Sequence, residues 1–216
     1  MKKTLVFLVL SGLLLFQTSN GVASYLYEIE AGDMITFTKH TGPNGGGEFT
    51  WVADNGYTWK SFCMEIGETI SVGQDYTVRG LSGYAQAGGK DGNNYVDKKD
   101  PLSDETAWLF WNFSMGTLTS YNSTKTQQGY LQNIIWYLEG EIDSLNAETE
   151  EYYKAWNLDY LASGWTNQGQ VQVVNLGIGI QDQLIVGTPV PEPGTMVLLG
   201  FGLIGIAGIG RKKLKK

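Results

Sequence analysis

The sequence predicts an α+β protein: an antiparallel β-sandwich or barrel with a helical insertion, flanked by an N-terminal signal peptide and a C-terminal transmembrane helix. Three observations carry this expectation. Short runs of alternating, β-branched and aromatic residues punctuated by Gly, Asn and Asp fill positions 25–85. Longer segments with helical spacing and capping residues occupy 103–163, and strand-like runs return over 169–187. A chain that passes from strands to helices and back places its helices inside a β framework.

Taken in order, "YEIEAGDMITFTKH" alternates in part and reads as strand, and "GPNGGGEF" after it reads as a turn or loop. "FTWVADNGYTWKSFCMEI" divides into two short strands around Asp54-Asn55-Gly56, a hairpin signal. "ISVGQDYTVRGL" reads as a further strand, and "GGKDGNNYVDKKDP" as a polar loop. Three helices follow. The first opens at Ser103 with an acidic turn and stops near Gly116. The second, within "TKTQQGYLQNIIWYLEGE", puts Leu131, Ile134, Ile135 and Leu138 on one face. The third runs from an Asn146 cap to Gly164, again with an acidic start that suits the helix dipole. "GQVQVVNLGIGIQDQLIVG" returns to strand, and no internal repeat is evident.

The two ends are of a different kind. Lys2 and Lys3 precede an uncharged apolar run from Leu5 to Phe16, and Gly21 and Ala23 are small residues before a cut after Ala23. This is the layout of a secretory signal peptide, 1–23, and the apolar run is short for a membrane span. At the other end Pro191-Glu192-Pro193 precedes an uncharged run from Met196 to Gly210 and a basic cluster from Arg211 to Lys216. Such a run can just span a bilayer, with its positive end inside. This order over 189–216 resembles the PEP-CTERM sorting signal of Gram-negative bacteria. The resemblance implies a transmembrane helix at 196–210 and a partner, the inner-membrane protease-transpeptidase exosortase, that removes the tail after export through the Sec translocon. The chain would be anchored transiently, then reach the cell surface or extracellular matrix.

Between the ends lies one body, 24–188. Setting aside Lys2, Lys3 and five basic residues of the tail leaves 8 of 15 basic residues; setting aside Glu192 leaves 21 of 22 acidic ones, a net charge of −13. Such a body is poorly suited to nucleic acid, since little would displace counterions from a phosphate backbone. Seven Trp and twelve Tyr are too many for a disordered spacer.

One cysteine, Cys63, stands in "SFCMEI". An unpaired cysteine in an exported chain is an intermolecular bridge, a reactive thiol or a buried apolar filler. In "YLQNIIW", Gln132 lies among aliphatic residues one turn before Trp136, a neutral amide in an apolar setting. "FCMEI" followed by "LQNIIWYLEGE" resembles the thioester domains of bacterial surface adhesins, in which an aromatic-Cys strand meets a Gln-x-x-Ile-Trp helix. The resemblance implies an internal thioester with Cys63 as thiol and Gln132 as acyl group, Ile135 and Trp136 forming the apolar shell, and covalent capture of an amine-bearing target. Ile134 stands where that family usually has alanine, and its best-known members come from Gram-positive cell walls. The reaction it implies is single-use, so the chain is not expected to be an enzyme, and no cofactor or metal is expected.

Other chemistries are less well served. His40 is the only histidine, beside the glycine loop, so neither a cysteine hydrolase nor a serine triad has a placed base. Asp91, Asp97, Asp100 and Asp104 lack the spacing of a calcium loop, and Lys98 and Lys99 oppose a cation. The alternative is a non-covalent matrix or carbohydrate-binding module, with a few of Trp51, Trp59, Trp108, Trp111, Trp136, Trp156 and Trp165 exposed as sugar platforms and Cys63 an ordinary buried residue.

Overall fold

The structure is a computed structural model that describes residues 24–43, 46–86, 99–190 and Phe201. The signal segment with Ala23, the Pro191-Glu192-Pro193 motif and the expected helix at 196–210 (Phe201 excepted) lie outside the described residues, as do Asp91 and Asp97. Among the described residues no helix is long and apolar enough to cross a membrane.

The α+β class holds. Among the described residues eight strands precede the helices: β1 (Ser24–Leu26), β2 (Met34–His40), β3 (Phe49–Ala53), β4 (Thr58–Ser61), β5 (Asp75–Thr77), β6 (Gly80–Ser82), β7 (Tyr84–Gln86) and β8 (Lys99–Pro101). Helices α1 (Asp104–Met115), α2 (Lys125–Leu138) and α3 (Ala147–Ser163) follow, then β9 (Val171–Asn175), β10 (Gln183–Val186) and β11 (Thr188–Val190). The strands form four antiparallel sheets, ordered β4-β3-β2-β5, β10-β9-β6, β1-β11 and β7-β8.

The hairpin at Asp54-Asn55-Gly56 forms as expected, with Val52 opposite Thr58 and Gly56 at φ +86°. Period-2 alternation buries Ile35 and Phe37 of β2, Phe49, Trp51 and Ala53 of β3, and Trp59 of β4 on one face. A bulge between Phe37 and Lys39 sets Lys39 opposite Thr50 and re-aims the end of β2. The single strand expected in "ISVGQDYTVRGL" is instead two. β5 pairs with β2 and β6 pairs with β9, because the chain switches sheets at Val78 and Arg79, whose N–H groups donate to Asp33 O and Asn175 O.

The helix ends follow their caps. Ser103, Thr124 and Asn146 each accept an N–H from the first turn, and Gly116 and Gly164 end α1 and α3 in the left-handed region. Two apolar cores result. One joins α1, α2 and Trp156 of α3 to Phe62, Met64, Val171, Val173 and Leu184. The other joins the inner face of the four-stranded sheet to Val174, Leu176 and Ile185 of the three-stranded one. Alternation along Phe62-Cys63-Met64 sends Phe62 and Met64 into the first core and Cys63 into the second, so this short run stitches the two together.

Trp156 anchors α3, with its ring against Tyr152 and Tyr121 and its Nε1–H donating to Thr119 O at 2.9 Å. Trp156→Ala is expected to cost about 3–5 kcal/mol in urea unfolding. Leu158→Ala, on the exposed side of the same helix, should stay within about 0.5 kcal/mol. Equal losses would mean that α3 is held by propensity and not by this one ring.

Candidate functional site

Cys63 follows β4 and makes an isolated antiparallel bridge with Gln183, the first residue of β10. That bridge fixes the backbone of Cys63 at the seam between the two cores. Gln132 comes from the middle of α2, on the turn that also carries Leu131, Ile135 and Trp136. The structure brings Cys63 and Gln132 together: both are buried, at 0% and 1% exposure.

Their contact is a closed set of hydrogen bonds. Gln132 Nε2 donates to Cys63 O at 2.8 Å. Gln132 Oε1 accepts from the N–H of Cys63 at 3.2 Å and from the N–H of Gly47 at 3.4 Å, and the Cys63 thiol donates to the same oxygen at 3.2 Å. One end of the amide meets only an acceptor and the other only donors, so the network fixes which atom is oxygen. The two backbone N–H groups converge on the carbonyl oxygen as donors do in an oxyanion hole.

The shell divides. Trp136 shares the core of Cys63, while Ile135 and Ile134 are buried in the other core, on the helical side. Ile134 therefore fills space away from the thiol. The Trp136 indole N–H is buried in the core that holds Cys63 and has no hydrogen-bond partner among the described residues. Burial pushes the Cys63 thiol well above its usual range and the charge of Glu65 adds to this. The backbone and the Trp136 N–H oppose it. The sulfur is therefore held as a thiol.

Three features of the site were not singled out in the sequence. Gly46 packs so closely that a Cβ there would sit 2.7 Å from Trp136 Cη2 and 2.8 Å from Gln132 Cγ. Gly47, at φ +119°, supplies an N–H to the amide, and His40 Nε2–H donates to Gly46 O at 2.8 Å. The "GGG" run was a visible signal, but it read as flexibility and not as close approach. The third feature is a buried carboxylate pair. Glu65 Oε2 accepts the N–H of Asp182, and Asp182 accepts from Gln86 N, Leu176 N and Asn175 Nδ2. Burial raises both, Glu65 furthest, to about 10 with the charge of Asp182 second; three donors hold Asp182 to about 6.

The remaining sequence candidates lie elsewhere. Asp100 is buried in β8, and Asp104 opens α1 and accepts from Asn167 N. Among the described residues no group of three or more His, Cys, Asp or Glu is arranged to hold a metal ion.

A family model described as the PEP-CTERM protein-sorting motif matches residues 189–212. No curated protein and no solved structure matches the chain. The motif covers the tail that follows the α+β body. It marks an exported protein handled by exosortase at the membrane, anchored there transiently before release to the cell surface. The match does not reach Cys63 or Gln132.

Two outcomes follow from the packing. Gly46→Ala should lower stability by about 1–3 kcal/mol through overpacking against Trp136. Gly67→Ala, where a Cβ meets open space, should be near neutral in the same unfolding assay. A Glu65 raised from 4.5 to about 10 binds its proton more tightly folded than unfolded. Its contribution is fully present below pH 4.5 and is lost as pH rises toward 10. Urea midpoints should therefore fall between pH 5 and pH 9, about the span of that shift. Glu65→Gln should reduce the slope without removing it, because burial also raises Glu68 and Glu139. An unchanged slope in the variant would contradict the assignment.

Proposed function

We propose that this exported surface protein forms an internal thioester between Cys63 and Gln132 and uses it to attach covalently to amine groups on a target. The observation that carries this reading is the Gln132 carbonyl oxygen, held by the N–H groups of Cys63 and Gly47 with the Cys63 thiol at 3.2 Å. An ordinary buried cysteine has no need of an amide so oriented beside it.

The chemistry balances without a cofactor. The Cys63 sulfur adds to Gln132 Cδ, and the negative charge that develops on Oε1 falls where the two N–H donors already point. The thiol proton passes to the departing nitrogen, the C–N bond breaks and ammonia leaves. A primary amine later adds to Cδ, the C–S bond breaks, and the amine gives up a proton that the sulfur takes. The products are an amide to the target and a free Cys63 thiol. Each molecule reacts once, which makes the protein a reagent rather than an enzyme.

Burial serves this use. Water is kept from the acyl carbon by Trp136 and by the Gly46 backbone packed over Gln132 Cγ. An amine reaches Cδ only when the backbone at Gly46 and Gly47 moves aside. Within this reading the Sec translocon and exosortase are the partners of delivery, and an amine-bearing protein or surface is the partner of capture.

The intact mass of the full chain, purified without amine buffers beside a Cys63→Ala variant, tests the proposal. The expected mass is short by one ammonia relative to the sequence, a deficit absent from the variant. Methylamine should convert the deficit to an adduct and release one titratable thiol. A full mass with a titratable thiol from the start would remove the covalent mechanism.

A further inference from the structure

The bulged end of β2, the loop after it, β4 and the start of α2 enclose an open cleft of about 670 Å³. That is within the size range of ligand clefts, roughly 300–1,000 Å³. Its charge is opposite to that of the body. Lys39, Lys60 and Lys125 line it together with His40, and these are three of the six Lys and Arg among the described residues. Among the described residues Glu48 is the one acidic residue lining it, and Lys60 Nζ neutralises Glu48 at 2.9 Å. Lys125 is the first residue of α2, so the positive end of that helix dipole adds to the same potential.

The cleft also holds unmet hydrogen-bond capacity. Glu48 and Gln128 both line it, at 5% and 6% exposure, and among the described residues Glu48 Oε2 and Gln128 Oε1 have no hydrogen-bond partner. Their other polar atoms are engaged, Glu48 Oε1 by Lys60 and Gln128 Nε2 by Ser123 O at 3.2 Å. Buried acceptors of this kind are costly unless a donor reaches them. A second cleft of about 630 Å³ shares Lys60 and Ser123 with the first and continues past Thr50, Thr58 and Trp59. The Trp59 indole N–H is likewise buried and without a partner among the described residues. The two clefts form one trough of cations, free acceptors and an aromatic donor.

We propose that this trough binds an acidic polysaccharide, its carboxylates held by Lys39 and Lys125 and its hydroxyls donating to Glu48 and Gln128. A free ammonium would meet two uncompensated lysines, which argues against the trough as the dock for a lysine side chain. An acidic peptide would satisfy the lysines, but it offers one backbone N–H per residue where each sugar unit offers several rotatable hydroxyl donors. An extended polymer of charged, hydroxylated units satisfies both and suits the length of the joined clefts. The proposal goes beyond the thioester and does not require it, although Gln128 lies one turn before Gln132 on α2.

The test uses the full chain in mild detergent with Cys63→Ala, so that covalent capture cannot contribute. Calorimetry with a galacturonate hexasaccharide should show saturable binding, weakened by salt. Cellohexaose and polyglutamate should each bind at least about tenfold more weakly. Lys39→Glu with Lys125→Glu, both at exposed positions, should weaken the galacturonate by a similar factor and leave the melting temperature unchanged. Gln128→Leu should weaken it while leaving the salt dependence intact. Equal binding of cellohexaose or polyglutamate, indifference to the double substitution, or no binding at all would overturn the proposal. A full unmodified mass for the wild-type chain would sink the thioester and leave the trough standing, so the two failures are separable.

Discussion

The clamp on the Gln132 amide is the constraint around which the site is organised. Four hydrogen bonds tie this one side chain to Cys63 and Gly47, and together they require three parts of the fold. The Cys63 backbone is placed by its bridge to Gln183, the amide by the register of α2, and the Gly47 N–H by a loop that glycine alone can fold so closely. A buried neutral amide is tolerable here because both its nitrogen and its oxygen are hydrogen-bonded. Orientation and satisfaction are therefore the same fact. The geometry that stabilises the amide also directs the thiol and two N–H dipoles at its carbonyl.

Around that clamp the protein accepts unfavourable electrostatics. Glu65, two residues beyond Cys63, and Asp182, next to Gln183, are buried together where both carboxylates cannot readily be charged. Asp182 keeps three N–H donors from β7 and the β9 region and so ties those elements together. Glu65 holds its proton in exchange. Removing the Glu65 side chain would strand the buried N–H of Asp182 that it accepts.

Much of this fold was legible locally. Ser103, Asn146, Gly116 and Gly164 bound α1 and α3 because capping is decided within one turn, and Asp54-Asn55-Gly56 turns a hairpin for the same reason. The pairing of Cys63 with Gln132 was read from two motifs, and the structure places the two side chains in contact. What stayed hidden depends on distant partners. The sheet switch at Val78 and Arg79 is set by Asp33 and Asn175, and Glu65 meets Asp182 across 117 positions. Gly46 and Gly47 carried a signal that close approach and flexibility share. Lys39, Lys60 and Lys125 converge only because β2, β4 and α2 do, which no periodicity records.

The sorting motif marks export and membrane processing, and in the proposed reading the body engages a surface afterwards. In the proposed reading Cys63 and Gln132 are partners in a covalent bond and not merely neighbours. A crystal structure of the chain prepared without amines distinguishes the two. Continuous density from Cys63 Sγ to Gln132 Cδ is expected, with no density for Nε2 and with Oε1 still on the N–H groups of Cys63 and Gly47. A free thiol beside an intact amide, with Nε2 still on Cys63 O, would contradict that reading.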